Sequence, residues 1–135
     1  MPEWIRVFWL PSKSIDNLKE LPQESGVYYI TALWVVLYVG KAKNLRNRWR
    51  TNHHRYQQFK LLQPFGRLHY RVVSMKQLDG YEKSEISKFT PKWNGTSRPS
   101  FWNLLGLFLA VWGRVIVYAS LLMLAIAVVI YSALK

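Results

Sequence analysis

The 135-residue sequence contains no cysteine and only three histidines. The lack of cysteine excludes disulfides, thiolate nucleophiles and zinc-thiolate sites, and three histidines leave little for a zinc cage. Acidic residues are also scarce, since seven Asp and Glu stand against nineteen Lys and Arg, and all seven lie before residue 86. A chain of this length has room for one compact domain and not for two large ones.

The excess of positive charge is concentrated in one stretch of the chain. Residues 41–76 contain ten Lys and Arg and no acidic residue, and residues 1–100 carry a net charge of +10. A surface of a single sign attracts the phosphates of nucleic acid or the headgroups of anionic lipid. The charge pattern therefore indicates one of these two partners.

A long uncharged segment precedes the last residue, Lys135. Residues 115–134 form a run of twenty uncharged, mostly apolar residues, which as a helix is about 30 Å long, the thickness of the hydrocarbon core of a bilayer. Residues 101–113 are also apolar but too few to span comfortably, and Arg114 either snorkels to the interface or turns a hairpin with Gly113. The sequence predicts a transmembrane helix, with one span favoured over two.

Basic residues on either side of this segment predict its orientation. Lys83, Lys88, Lys92 and Arg98 precede it, whereas only Lys135 follows. Because cytoplasmic flanks are enriched in Lys and Arg, we expect a single-pass membrane protein with its basic domain on the cytoplasmic side.

Residues 26–31 and 34–40 are rich in β-branched and aromatic types and predict a β-hairpin. The connecting "TALW" contains no Gly, Asn or Asp, the usual residues at positive φ. If the midpoint lies at Leu33, Tyr28 is directly opposite Tyr38 on one face of the sheet. Residues 67–75 alternate as a third strand, with Leu68, Tyr70 and Val72 on one face.

Two helices follow the hairpin and the third strand, respectively. In the first, a buried stripe contains Leu45, Trp49, Tyr56 and Phe59, and Arg48 lies on its shoulder. The second begins near Asp79 as N-cap and ends before Pro91. Glu82 shares a face of this helix with Ile86 and Phe89. A carboxylate aligned with a core stripe requires an explanation, because an unpaired buried charge is costly.

Four blocks of sequence occur in a characteristic order: "GVY" at 26–28, "YVG" at 38–40, "KAKNLRNRW" at 41–49 and "EKSEISKFTPKWN" at 82–94. Together they resemble the GIY-YIG endonuclease domain, in particular the form in the incision subunit of nucleotide-excision repair and in short stand-alone cyanobacterial-type proteins. Val27 and Val39 replace the isoleucines of the motif. The resemblance implies an α+β fold, a small sandwich built on a three-stranded antiparallel sheet flanked by helices.

The resemblance also implies metal-dependent hydrolysis of DNA phosphodiester bonds, with Mg²⁺ or Mn²⁺ as cofactor and DNA as partner. By matching position, Glu82 holds the metal and Arg48 contacts the scissile phosphate, while Lys41 follows the second motif. Tyr28 and Tyr38 line the site, and one of them, with Tyr28 preferred, positions or deprotonates the attacking water. Asn94 closes the motif in a structural role. Side chains expected to bind DNA are Lys43, Arg46, Arg50, His53 and Arg55.

This organisation predicts four segments: an N-terminal extension (1–21), the nuclease-like domain (22–94), a linker (95–100) and a hydrophobic membrane region (101–134) whose main span is 115–134. The resulting hypothesis is a membrane-tethered, divalent-metal-dependent endonuclease, with the lipid bilayer as second partner. The alternative is a membrane-anchored basic module that binds nucleic acid, or anionic lipid, without catalysis.

Single residues have simpler interpretations as well. Tyr28 and Tyr38 could form an ordinary cross-strand aromatic pair, and Glu82 could complete a capping box with Asp79. Arg48 could be a solvated surface cation. His53 and His54 are expected to be surface polar residues, although a histidine there could bind phosphate or act as base. His69 on the third strand is expected to be structural.

Overall fold

A computed structural model describes residues 3–50, 55–95 and 101–134. The chain divides into two compact units, Met1–Arg98 and Pro99–Lys135. The first unit is an antiparallel sheet flanked by helices, so the predicted α+β class is confirmed. Its elements in chain order are α1 (Glu3–Phe8), β1 (Ser12–Ser14), a 3₁₀ segment (Ile15–Glu20), β2 (Gly26–Ala32), β3 (Val35–Ala42), α2 (Leu45–Arg50), α3 (Tyr56–Lys60), β4 (Arg67–Val72) and α4 (Leu78–Phe89).

The sheet has four strands in the order β1-β4-β2-β3, one more than predicted. The additional strand, β1, pairs antiparallel with the start of β4, with Ser12 opposite His69 and Ser14 opposite Arg67. Three residues with the sequence Ser-Lys-Ser carry no apolar alternation, which is the signal that identifies strands. Only pairing with β4 makes this segment a strand, so its sequence alone did not reveal it.

The hairpin between β2 and β3 turns at Leu33 and Trp34, whose φ angles are 50° and 68°. A two-residue hairpin loop of type I′ needs positive φ at both positions, and here non-glycine residues adopt it. Thr31 pairs with Val36 but Ile30 pairs with Tyr38, because the register shifts at a bulge. The prediction that Tyr28 lies opposite Tyr38 is therefore wrong.

Helices cover both faces of the sheet. On one face α1 and α4 enclose a core that contains Val7, Val27, Tyr29 and Leu78. Tyr28, next to Tyr29 in β2, points to the opposite face, where its ring packs against Trp49 of α2. The predicted apolar stripe is realised by two helices, α2 and α3, with Leu45, Trp49 and Phe59 buried. His53 and His54 lie outside the described residues.

The second unit contains one continuous helix, α5 (Phe101–Ala133). Since α5 passes through Gly113 and Arg114 without interruption, the hairpin alternative at these residues is wrong. Within the described residues, the segment Trp112–Ala133 is long and apolar enough to cross a membrane, with a mean hydropathy of 2.5 over its most apolar window.

Candidate active site

A cavity of about 570 Å³ lies between β3, α2 and the start of α4. All five residues predicted to be catalytic line it: Tyr28, Tyr38, Lys41, Arg48 and Glu82. These residues come from four different elements that span more than fifty positions of the chain. The fold thus brings together side chains that the sequence connects only through the order of its motifs.

Local features of α2 and β3 place Arg48 and Tyr28 at the cavity. Asn44 caps α2, because its Oδ1 accepts a hydrogen bond from the Asn47 backbone N–H at 2.9 Å. Arg48 then lies one turn into the helix, its N–H bonded to the Asn44 carbonyl at 3.1 Å. On β3, a Cβ added to Gly40 would lie 2.6 Å from Cζ and Oη of Tyr28. The glycine of "YVG" therefore leaves the space in which the Tyr28 phenol lies.

Other aromatic rings pack against the two tyrosines. Tyr28 meets Trp49 edge-on with 5.1 Å between ring centroids, and Tyr38 contacts Phe59 at 5.6 Å. Phe59 in turn stacks on Trp93 at 6.0 Å. The ring centroids of Tyr28 and Tyr38 lie 6.2 Å apart. Because Tyr28 pairs across the strands with Gly40, the two phenols are diagonal neighbours on one face of the sheet.

Lys41 bridges two carboxylates on α4. Its Nζ lies 2.7 Å from Glu82 Oε2 and 2.9 Å from Asp79 Oδ1. The Glu82 and Asp79 carboxylates raise the pKa of Lys41 above its ordinary value, and Lys41 lowers the pKa of Asp79. Helix α4 begins at Leu78 with Gln77 as N-cap, so the predicted N-cap role of Asp79 is wrong. Asp79 is instead a second carboxylate of the cavity, which sequence analysis did not identify.

The two tyrosines differ in access and ionisation. Tyr28 is 0% exposed, and burial raises the pKa of its phenol well above the ordinary value. Tyr38 adds to this increase, while the Arg48 guanidinium opposes it without cancelling it. Tyr38 is half-buried, and the Arg55 guanidinium lies over its ring at 5.0 Å. The environment of Tyr28 therefore disfavours the phenolate that a base requires.

Asn94 holds the strand that carries Tyr38. Its side-chain Oδ1 accepts a hydrogen bond from the Val39 N–H at 2.8 Å, and its Nδ2 donates to the Val39 carbonyl at 2.7 Å. Both backbone groups of one residue on β3 are thus satisfied by a single amide. This geometry fits the structural role expected for the closing asparagine of the motif.

The residues predicted to bind DNA fall into different environments. Lys43 is exposed at the cavity and Arg50 is exposed on α2, whereas Arg46 donates from Nε to the Leu21 carbonyl at 2.7 Å. Arg55 is only 8% exposed and donates to the Trp93 carbonyl at 2.5 Å. That burial is inconsistent with the predicted DNA contact of Arg55, whose guanidinium instead packs on Tyr38. His53 lies outside the described residues.

Glu85 is the most buried acidic side chain of the described residues, and sequence analysis missed it. It is 6% exposed, and its carboxylate accepts hydrogen bonds from Tyr29 Oη at 2.7 Å and Lys88 Nζ at 3.0 Å. On α4, the carboxylate that faces the protein core is therefore Glu85 rather than Glu82. Its position four residues after Tyr81 and seven after Leu78 matches helical spacing and could have indicated this.

Comparisons with known proteins agree with this fold. The GIY-YIG N-terminal endonuclease domain of UvrC from Thermotoga maritima, as a tyrosine-to-phenylalanine variant bound to its catalytic divalent cation, is 28% identical with a TM-score of 0.52. A second such variant is 27% identical with a TM-score of 0.52, and each match covers 71% of this chain and 100% of that domain.

The same UvrC domain bound to magnesium as its catalytic cation matches with 28% identity and a TM-score of 0.49, covering 68% of this chain and 97% of that one. No family model and no curated protein matches the chain. The resemblance seen in the four sequence blocks is nevertheless confirmed in three dimensions. The N-terminal unit of this chain has the GIY-YIG endonuclease fold and is similar to the N-terminal domain of UvrC.

Proposed function

We propose that this protein is a membrane-tethered, divalent-metal-dependent endonuclease that hydrolyses DNA phosphodiester bonds. The observation that carries the proposal is the convergence of Tyr28, Tyr38, Lys41, Arg48 and Glu82 on one cavity, in a unit with the fold of a metal-bound endonuclease domain. The net charge of +12 supplies the electrostatic attraction that a polyanionic substrate needs.

The donor chemistry of the cavity fits a hard divalent cation. Glu82 already accepts an ammonium group at 2.7 Å, so its carboxylate is directed at a cation position. In the part of the chain that the structure describes, no group of three or more His, Cys, Asp and Glu comes together. Mg²⁺ or Mn²⁺ would therefore be held by Glu82 with water and substrate oxygens in the remaining positions. When bound, the cation supplies positive charge to the phosphoryl oxygens.

Arg48 provides the fixed positive charge of the site. Phosphodiester hydrolysis places additional negative charge on the equatorial oxygens, and a preorganised guanidinium stabilises that charge more than it stabilises the substrate. Arg48 projects from the first turn of a capped helix and interacts with the Tyr28 phenol, which limits its freedom. Lys41, fixed between two carboxylates, adds a second cation at the same cavity.

We assign the positioning or deprotonation of the attacking water to Tyr38 and not to Tyr28. Tyr38 is accessible from the cavity and carries a cation over its ring, whereas Tyr28 is fully buried with a raised pKa. Tyr28 then orients Arg48 and Tyr38 through hydrogen bonds of its neutral phenol. The preference for Tyr28 that the sequence suggested is thereby reversed.

The membrane part of the proposal depends on α5. Trp112–Ala133 has the length and hydropathy of a span, and the side chains of residues 115–134 are exposed. The basic residues before it support a cytoplasmic position for the nuclease unit, because cytoplasmic flanks are enriched in Lys and Arg. Extraction of the expressed protein from membranes by detergent, but not by high salt or alkaline carbonate, supports this anchoring; release by carbonate contradicts it.

The catalytic proposal is tested with the full-length chain purified in detergent and supercoiled plasmid as substrate. We expect nicking in Mg²⁺ or Mn²⁺, none in EDTA, and loss of nicking in Glu82→Gln. The matched control is Glu20→Gln, the same change at an exposed carboxylate paired with Lys13 away from the cavity. Nicking that persists in Glu82→Gln refutes the assignment. Metal-independent binding without cleavage selects the non-catalytic module.

A further inference from the structure

Lys41 is held by two carboxylates that differ in their exposure to solvent. The Glu82 side chain is 18% exposed, whereas the Asp79 side chain is 77% exposed. Both residues line the cavity of the candidate active site, and they lie three positions apart on α4, so they share one side of this helix. Lys41 is therefore bonded to an inner carboxylate, Glu82, and to an outer carboxylate, Asp79.

Lys41 competes with a divalent cation for the inner carboxylate. Its Nζ lies 2.7 Å from Glu82 Oε2, in a position from which a cation binds this oxygen. An ammonium group and a divalent cation on one partly buried carboxylate repel each other, because like charges at such short separations interact strongly. Glu82 can therefore bind a divalent cation well only when Lys41 moves away from it.

Asp79 gives Lys41 a second partner that it can keep during this move. The Lys41 Nζ already lies 2.9 Å from Asp79 Oδ1. A lysine ammonium group ends a flexible four-carbon chain, so it can leave one carboxylate while it stays on the other. Because Asp79 is exposed, its side chain is free to follow the ammonium group. Without Asp79, the same move would leave Lys41 without either carboxylate.

We propose that Asp79 is a positioning residue that receives Lys41 when a divalent cation takes the place of the ammonium group on Glu82. Asp79 thereby raises the affinity of the site for the cation without binding the cation itself, and it keeps Lys41 beside the cavity. This inference rests on the proposed metal-dependent endonuclease function. It gives a role to a residue that lies outside the four sequence blocks of the family resemblance.

The test measures metal binding in the absence of DNA, so no cleavage is involved. The full-length chain in an uncharged detergent is titrated with Mn²⁺, and electron paramagnetic resonance distinguishes free from bound Mn²⁺. The ionic strength is about 0.15 M, at which distant surface charges are screened. We expect Glu82→Gln to abolish binding at this site. Asp79→Asn should weaken Mn²⁺ binding about two- to fivefold, the effect of losing one exposed ion pair.

Two further variants separate the proposed role of Asp79 from a simple loss of negative charge. Asp79→Glu can still pair with Lys41 and should restore most of the affinity for Mn²⁺. Asp16→Asn is the matched control, because it removes the same charge from an exposed residue that does not line the cavity. The affinity of Asp16→Asn should equal that of the wild type. A loss of the same size in Asp16→Asn and Asp79→Asn overturns the proposal.

A double variant tests whether Asp79 acts through Lys41. In Lys41→Met the ammonium group is absent, so the addition of Asp79→Asn should weaken Mn²⁺ binding by less than it does in the wild-type background. An equal or larger loss means that Asp79 binds the cation directly and overturns the proposal, as does an unchanged affinity in Asp79→Asn. If Glu82→Gln binds Mn²⁺ like the wild type, the metal site of the proposed function fails as well. Lost binding in Glu82→Gln without any effect of Asp79→Asn refutes the role of Asp79 alone.

Discussion

Two clusters on opposite flanks of α4 contain the same four residue types. The Glu82 cluster consists of Tyr38, Lys41, Arg48 and Glu82 around the large cavity, and the Glu85 cluster consists of Tyr29, Arg71, Glu85 and Lys88. In the Glu85 cluster the phenol donates directly to the buried carboxylate at 2.7 Å. In the Glu82 cluster the carboxylate instead meets an ammonium group beside a cavity of about 570 Å³.

The difference shows that residue type does not determine the role of a cluster. A carboxylate that is buried and bonded to a phenol and an ammonium group has its charge satisfied internally, which favours stability. A carboxylate beside a cavity can exchange its lysine partner for a metal ion and a phosphate. We therefore expect substitutions in the Glu82 cluster to change the rate, and substitutions in the Glu85 cluster to change mainly the stability.

The largest difference is expected between two tyrosines. Tyr38→Phe should lower the cleavage rate by about 10²- to 10⁴-fold, the usual contribution of acid-base catalysis. Tyr28→Phe should lower the cleavage rate about tenfold, the effect of removing one hydrogen bond to a cation. Because the pKa of Tyr28 is raised by burial, Tyr28 stays neutral at and well above neutral pH. The pH-rate profile of Tyr28→Phe should therefore keep the shape of the wild-type profile. Steady-state cleavage rates measured between pH 6 and 10 test this. A lost alkaline limb would return the base role to Tyr28.

An intermediate effect is expected from Tyr29→Phe, which removes one partner of Glu85. Loss of a hydrogen bond to a buried carboxylate lowers the free energy of unfolding by about 1–3 kcal/mol. The unfolding temperature should therefore fall by several degrees for each kcal/mol. Cleavage measured well below that temperature should remain close to wild type. The double variant Tyr29→Phe/Glu85→Leu should recover much of the loss, because both polar partners are then removed. Lost cleavage at an unchanged unfolding temperature would show that the Glu85 cluster takes part in the reaction.

The smallest effect is expected from Asp79→Asn, which leaves Lys41 bonded to Glu82 alone. Lys41 is then held less firmly, and we expect the cleavage rate to change only a few-fold, as for a solvent-exposed ion pair. The lowered pKa of Asp79 means that its stabilising pair is present above pH 3.8 and is lost as pH falls below it. The raised pKa of Lys41 means that the pair persists below pH 10.5 and is lost above it. The difference in unfolding temperature between wild type and Asp79→Asn should thus be constant from pH 5 to 9.

Much of the fold and of the candidate site could be predicted from local patterns. Helix α4 ends at Phe89, before Pro91 as expected, because proline cannot continue the helix. The five residues at the cavity were identified because the family motif records their order. The apolar character of residues 115–134 is a property of composition, so it needed no three-dimensional information.

Other features depend on contacts between distant parts of the chain. The turn at Leu33 and Trp34 and the bulge in the β2–β3 pair together place Gly40, not Tyr38, opposite Tyr28, and "TALW" contains no Gly, Asn or Asp that would predict this turn. Arg55 was predicted to face DNA, but Tyr38 and the Trp93 carbonyl bury its guanidinium. Strand β1 exists only because β4 is beside it.

The sequence by itself determined the basic character of the first unit, the apolar helix of the second and the residue types of the site. These follow from composition, periodicity and motif order, which require no knowledge of neighbours. Only the tertiary structure decided that Glu85 is bonded to the Tyr29 phenol and that Glu82 faces the cavity, although they lie three residues apart on one helix. The physical reason is that the cost of burying a charge depends on the partners that the sheet and the other helices bring to it.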